Sequence, residues 1–335
     1  MVNIGDVARE LGVSRSTVSY ALSGKRSVSA DTRRRVEEAV HEMGFVPSER
    51  ARALAHNRSN TLALLLPMGP ESTTAITLQF VHGAARASRL RNHHLLMVVG
   101  DEPVSDLDRL LRADRTDGVL VMDVTEDDLR LSQVSTCLKP AVVLGWPSAE
   151  TQIDCVDLDW EAAGRLLVEH LAGLGHRVIG LLSIPAVAYE MHLTYAERFR
   201  AGVTRVAADA GVSIAEWAAP QTPSGAPDAL RDLFERRPDI SALVVQDEVL
   251  MPHVHVLTAQ LGLRIPADIS VVGVGLDTLE FVMLRPVSGV DNPSVALTDA
   301  AVDMLVARID GDPAAPPRRH AVQPRFIDRG STAQA

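Results

Sequence analysis

At 335 residues, 46% hydrophobic and 23% charged, the chain has an ordinary soluble globular composition and is too long for one small core, so two or three domains are expected. No apolar run nears the roughly 20 residues of a membrane span. The opening "MVNIGDVARE" also lacks a secretory layout, so the expectation is a cytoplasmic protein with no membrane partner. The net charge of −10 is uneven: residues 1–58 carry ten Lys/Arg against seven Asp/Glu, a net of +3, and the remainder carries −13. A basic head on an acidic body can hold an anionic polymer locally while the body stays soluble.

The first 45 residues read as three short helices. In "NIGDVAREL" Ile4, Val7, Ala8 and Leu11 share one face, and Gly12 supplies the turn that ends it. Ser14 stands at an N-cap position and opens "RSTVSYAL", whose Val18 and Leu22 face inward. Ser29 caps a third helix, "ADTRRRVEEAVHEM", with an apolar stripe of Val36, Ala39, Val40 and Met43, and Gly44 sits at its end. Two helices joined by a tight turn, with small Ala8, Gly12 and the core plug Val18, fit a helix-turn-helix. Its second helix would enter the major groove by its N-terminal end. That puts Arg15, Ser16 and Thr17 near bases or phosphates, with Ser19 and Tyr20 one turn later. Arg15 is the best base reader, because a guanidinium bonds both acceptors of a guanine edge.

"SERARALAHNRSN", residues 48–60, is alanine-rich and basic, with a short helix expected over 49–55 that needs outside support to hold. From Thr61 onward, apolar runs alternate with helical segments. They are "LALLLP", "HLLMVVG", "GVLVM", "AVVLGW", "VIGLLS", "ALVVQ" and "ISVVGVG". Such runs indicate parallel strands covered on both faces, too many for one ordinary sheet, so two α/β lobes are expected. Ligands of such sheets bind beyond the carboxyl ends of the strands.

No G-x-G-x-x-G or G-x-x-x-x-G-K-[ST] motif occurs, and no nucleophile, base and orienter recur in a defensible pattern, so neither a cofactor nor an enzyme is expected. His253 and His255, two apart on a helix, make a poor metal pair, and no metal site is expected. His93 and His94 read as a surface strand edge, and Asp157 and Asp159 as capping residues for "WEAAGRLL". Cys137 and Cys155 read as buried free thiols.

The stretch "VNIGDVARELGVSRSTVSYALSGKRSVSADTRRRVEEAVHEMGFVPS" resembles the head of the lactose-repressor/galactose-repressor family of bacterial transcription regulators. The likeness continues through "ERARALA" as a hinge helix, "VDLDWEAAGRLLVEHLAGLGHRVIG", "LGLRIPADISVVGVGLDT" and "RFIDRGST", spanning nearly the whole chain. The resemblance implies an all-α helix-turn-helix head plus an α/β two-lobed, periplasmic-binding-protein-like core with parallel sheets. The expected boundaries are 1–46 for the head, 47–60 for the hinge helix and linker, and 61–332 for the effector-binding and dimerisation domain. The N-lobe is about 61–160 plus 290–320, and the C-lobe about 161–289 plus 321–332. It implies a repressor that binds a pseudo-palindromic, double-stranded DNA operator as a homodimer and answers to a small-molecule effector between the lobes. No leucine-heptad extension follows "RFIDRGST", so a dimer rather than a tail-joined tetramer is expected.

By the resemblance, Arg15 and Ser16 hold the main base-reading positions, within a head set of Ser14, Arg15, Ser16, Thr17, Ser19 and Tyr20. Tyr20 stands where an arginine is more usual. It either contacts a phosphate or a thymine methyl, or packs on Arg15 or the third helix. In the hinge, Ala51 and Leu54 face the minor groove with Leu54 as the wedge, and Arg50, Arg52 and Arg58 serve the phosphates. The effector set carried over is Met122, Trp146, Arg198, Phe199, Gln246, Asp247 and Gly275. Phe199 takes the place of a customary arginine, and the "GVGL" turn at 273–276 has lost two carboxylates. Such a site suits an effector less polar than a free hexose. The alternatives are a cleft that has lost ligand control and a solute-binding protein, the latter opposed by residues 1–58 and the missing export signal.

Overall fold

The computed structural model describes residues 2–23, 28–44, 58–66, 75–99, 115–137, 139–147, 151–218, 226–247, 249–276, 284–312 and 314–335. They fall into two compact units, Met1–Ser59 and Asn60–Ala335.

The first unit contains α1 (Ile4–Leu11), α2 (Arg15–Ser23) and α3 (Ala30–Glu42). Asn3 starts α1 with a capping box, its Oδ1 accepting from Gly5 N–H at 2.8 Å while its own N–H donates to Asp6 Oδ2 at 3.0 Å. Gly12 ends α1 in the left-handed region, φ 64°, where a side chain would be strained. Ser14 Oγ then accepts from Thr17 N–H at 3.0 Å, and Ser29 Oγ from Thr32 N–H at 3.1 Å, so both serines cap as their positions suggest. Val7, Val18 and Val36, all fully buried, meet Ala8, Ala21 and Ala39 in a small core. Each buried valine contributes on the order of 1.5–3 kcal/mol.

In the second unit two six-stranded sheets lie one in each lobe. The first has the order β11 (Arg319–Val322), β5 (Asp154–Leu158), β4 (Ala141–Leu144), β3 (Gly118–Met122), β1 (Thr61–Leu66) and β2 (His94–Val99), every pairing parallel. One face packs on α4 (Ala75–Leu90) and α11 (Ser294–Asp310), through Leu62, Leu64 and Leu120 against Ala84, Leu297, Ala301 and Leu305. The other face, with Ala63, Leu65, Val119 and Val143, packs on α5 (Leu129–Thr136). Cys155 is buried on this face and Cys137 only half-buried, because it lies just past the end of α5; neither is in a disulfide.

The second sheet has the order β12 (Phe326–Ile327), β10 (Ser288–Val290), β9 (Ser270–Val274), β8 (Ala242–Val245), β6 (Val178–Ser183) and β7 (Ser213–Ala218). Its pairings are parallel except for β10 with β12. One face carries α6 (Trp160–Gly173) and α8 (Thr194–Ala210); α9 (Ala226–Arg236) and α10 (Val254–Gln260) contribute to the cluster on the other. The helices α6 and α8 touch backbone to backbone. A Cβ on Gly202 would overlap the Glu161 carbonyl, and one on Gly164 would lie 2.5 Å from the Phe199 carbonyl oxygen. A short α7 (Ala186–Glu190) follows β6.

Among the described residues the chain crosses between the sheets from β5 to α6, from β10 to α11, and from β11 to β12. The lobes also meet directly, Thr194 N–H donating to Val124 O at 3.2 Å beside a bridge between Thr125 and Leu193. No helix among the described residues is long and apolar enough to cross a membrane.

Candidate nucleic-acid interface and interlobe site

In the head, Ser14 fixes where α2 begins, so the first α2 residues are set by its cap rather than by packing. Arg15 and Ser16 are exposed there, Thr17 and Ser19 half-buried, while Val18 turns fully inward. Ser14 Oγ and Thr17 Oγ1 share a 2.8 Å hydrogen bond at the exposed start of the helix. Tyr20 is half-buried. Arg15 makes no hydrogen bond or ion pair among the described residues; its guanidinium lies against Gly5 of α1. The arrangement can offer a charged, bidentate donor and hydroxyls to an anionic groove. Arg50, Ala51, Arg52 and Leu54 of the expected hinge lie outside the described residues, and Arg58 is half-buried near the end of this unit.

In the body, the expected effector residues stand at or beyond the carboxyl ends of β3, β4, β8 and β9, and on α8. Two of them are core. Met122 is 4% exposed because its register puts it on the same face of β3 as Leu120, beneath α4 and α11. Phe199 is fully buried among Leu167, Val203 and Val272, because its position on α8 points at the sheet. Its neighbour Arg198 projects the other way and is the one that reaches across the lobes.

Arg198 Nη1 bonds Asp157 Oδ2 at 3.0 Å, its Nη2 lies 3.5 Å from Asp159 Oδ1, and the guanidinium stands 5.3 Å from the Trp146 ring centroid. Arg319 of β11 is at the same 5.3 Å from that ring, so the indole has two cationic neighbours. Trp160 Nε1–H donates to the other Asp157 oxygen at 3.0 Å, and Tyr195 packs on Trp160 with centroids 5.6 Å apart. Asp157 is therefore no cap: only Asp159 caps α6, accepting from Ala162 N–H at 3.1 Å. Burial pushes the Asp157 carboxyl up to about 7, with Arg198 pulling it the other way. Asp157, Trp160, Tyr195 and Arg319 are absent from the expected effector set. An acidic residue alternating with β5 core positions was the available signal for the first.

Gln246 is 5% exposed; its Oε1 accepts from Tyr189 O–H at 2.9 Å, and its Nε2 has no acceptor among the described residues. Burial pushes the Tyr189 hydroxyl up to about 12, which keeps it a neutral donor, and the Arg200 guanidinium lies 4.1 Å over its ring. Asp247 accepts from Leu250 N–H at 2.7 Å and so caps the turn before α10; burial raises its carboxyl pKa. Gly275, at φ 71°, sits where the lobes touch: a Cβ there would come 2.7 Å from Ile76 Cδ1 of α4. No cluster of His, Cys, Asp and Glu that could hold a metal occurs among the described residues. The structure thus joins Trp146 with Arg198, gives Gln246 a tyrosine partner, and assigns Asp247 a capping bond.

A family model described as bacterial regulatory proteins of the lacI family matches residues 3–48, and one described as a periplasmic binding protein-like domain matches residues 168–332. The chain is 30% identical to the HTH-type transcriptional repressor PurR of Aliivibrio fischeri (strain MJ11), over 99% of this chain and 98% of that protein. It is 28% identical to the ribose operon repressor of Escherichia coli (strain K12), over 99% of this chain and 100% of that one. Among solved structures it resembles the lac repressor dimer bound to operator and the anti-inducer ONPF, with a TM-score of 0.83, 24% identity and 99% of each chain covered.

Proposed function

The chain belongs to the LacI family of bacterial transcription regulators, and on that premise we propose that it is a cytoplasmic repressor acting as a homodimer on a pseudo-palindromic operator. The observation that carries the DNA reading is the Ser14-capped start of α2, where Arg15 and Ser16 stand exposed and the Arg15 guanidinium has no partner among the described residues. Arg15 and Ser16 read bases, Ser14, Thr17, Ser19 and Tyr20 complete the head contacts, and Arg50 and Arg58 take phosphates. Ala51 and Leu54 face the minor groove, with Leu54 the wedge that kinks the central step. The division into a head at 1–46, a hinge at 47–60 and a body at 61–332 goes with this reading.

Self-association is supported by apolar side chains on the N-lobe surface: Leu78 and Leu90 of α4 and Leu96, Met97 and Val99 of the edge strand β2 are all exposed. A bare apolar edge strand is a liability unless covered, and a second copy covers it.

The effector site is read as Trp146, Arg198, Gln246 and Asp247. The Arg198 charge is already matched by Asp157 and Asp159, and Asp247 by a backbone N–H, so little polar capacity remains for a hydroxyl-rich ligand. Among these four described residues, the Gln246 Nε2 donor is uncommitted and its Oε1 is held by Tyr189, which suits an effector less polar than a free hexose. The same internal pairing favours a second reading, a cleft that no longer answers to a ligand.

Mobility shifts on the DNA upstream of its own operon test the function. Leu54→Ala is expected to weaken binding at least about tenfold, since the wedge is repaid by a bent, more fully contacted duplex. Wild-type affinity should fall steeply with salt. Undiminished affinity in the variant rejects the wedge role, and no shift with wild type rejects the operator reading for that DNA.

A further inference from the structure

We propose that Gly5 is a positioning residue for operator reading: by carrying no side chain it leaves the seat in which the Arg15 guanidinium rests, and so sets the direction from which that guanidinium meets a base edge. The inference rests on Arg15 being a base reader.

Gly5 lies in the first turn of α1 and is buried, while Arg15 is the first residue of α2. A Cβ at position 5 would fall 2.8 Å from both Nε and Nη2 of Arg15 and 3.0 Å from its Cζ. These distances are too short for a carbon beside a guanidinium, so the present pose of Arg15 exists only because residue 5 has no side chain. The backbone at this position does not call for glycine. It is helical, without the positive φ that Gly12 shows, and glycine is a poor helix former.

Charge does not explain the pose either. The guanidinium lies on the N-terminal turn of α1, where the helix dipole already presents partial positive charge. The acidic side chain of that turn, Asp6, is engaged by Arg9 at 3.0 Å and by the Asn3 N–H. Arg15 forms no hydrogen bond or ion pair with any described residue. An arginine held by shape with its N–H donors unspent gives up nothing in hydrogen bonding when it moves onto guanine O6 and N7. Its starting direction is then limited by the space that Gly5 leaves open.

The three atoms nearest a side chain at position 5 all belong to the far end of a flexible residue. Gly5→Ala therefore moves Arg15 without disturbing the head, and its effect on thermal unfolding should be neutral or stabilising. The full-length wild type, Gly5→Ala and Arg15→Ala would each be used to select from a randomised double-stranded DNA library, with the bound pools sequenced. Arg15→Ala should erase a guanine preference at one position per half-site. Gly5→Ala should change the preference at that same position by at least about fivefold, the lower end of what a bidentate contact discriminates, and leave the other positions alone. If Arg15→Ala erases the preference while Gly5→Ala selects the wild-type motif, or weakens all sequences uniformly, the positioning role is overturned. If Arg15→Ala keeps the guanine preference, the reading beneath it fails instead.

Discussion

Replacing Asp154 with asparagine should cost the body about 3 kcal/mol of stability at pH 7. Asp154 opens β5 with its side chain sealed from solvent, and both oxygens are fully used. Arg308 of α11 bonds Oδ1 at 2.7 Å and Oδ2 at 3.3 Å, while Arg318 gives its backbone N–H to Oδ1 at 2.7 Å and its Nη2 to Oδ2 at 2.9 Å. Burial works to raise the carboxyl pKa, yet the bonds from Arg308 and Arg318 bring it below the usual value. Breaking a buried pair costs roughly 3–5 kcal/mol, and asparagine keeps one acceptor, which favours the lower figure. The Arg308 side chain, 11% exposed, is left without its counter-charge, and the strand that carries Arg319 to Trp146 loses its anchor. Urea unfolding followed by tryptophan fluorescence reads the loss, since Trp146, Trp160 and Trp217 all lie in the body. Because the folded-state pKa is depressed, the stabilisation is complete above the unfolded value of 3.8 and is lost as pH falls through the folded one. The gap between wild type and variant should therefore be widest near neutrality and close in strong acid. A loss under about 1 kcal/mol at pH 7, or a gap unchanged in acid, would refute the reasoning.

Asp157 should show the opposite slope: with its folded pKa raised from 3.8 to about 7, the native state holds the proton more firmly than the unfolded chain. Stability from this group is present below pH 4 and lost as pH rises through about 7, a change of roughly 4 kcal/mol. Asp157→Asn should flatten the dependence of urea midpoints between pH 5 and 8, and a slope equal to wild type would count against the assignment. For the effector, free glucose or galactose at millimolar concentration should leave the melting temperature almost unmoved. A ligand at 100 times its Kd would add about 2.7 kcal/mol, so a rise of several degrees would reject an effector less polar than a hexose.

The head was legible because each of its devices is local: Gly12, Ser14 and Ser29 act within a few residues of themselves. The same holds for β1, β3, β4, β6, β8 and β9, whose buried Val/Leu runs need no partner to be noticed. The strands "DCVDL", "SIAEWA" and "RHAV" were not apparent, because polar residues at the lobe boundary or sheet edge interrupt the apolar run. The interlobe site was less legible still. Whether Arg198 or Phe199 faces Trp146 depends on the rotation of α8, fixed by the backbone contact of Gly164 and Gly202 rather than by any local signal. Likewise Asp157 looks like a capping residue until Arg198, 41 positions away, comes beside it.

The N-lobe takes α11 and β11 from the far end of the sequence, after the whole of the C-lobe sheet but its last short strand. During synthesis the head can therefore close early, while Leu62, Leu64 and Leu120 wait for Leu297, Ala301 and Leu305 to emerge. For most of translation that face of the first sheet has only α4 to cover it, an interval in which exposed apolar surface invites aggregation. The same dependence means that a chain cut after β5 would leave Leu62, Leu64 and Leu120 without the cover of Leu297, Ala301 and Leu305.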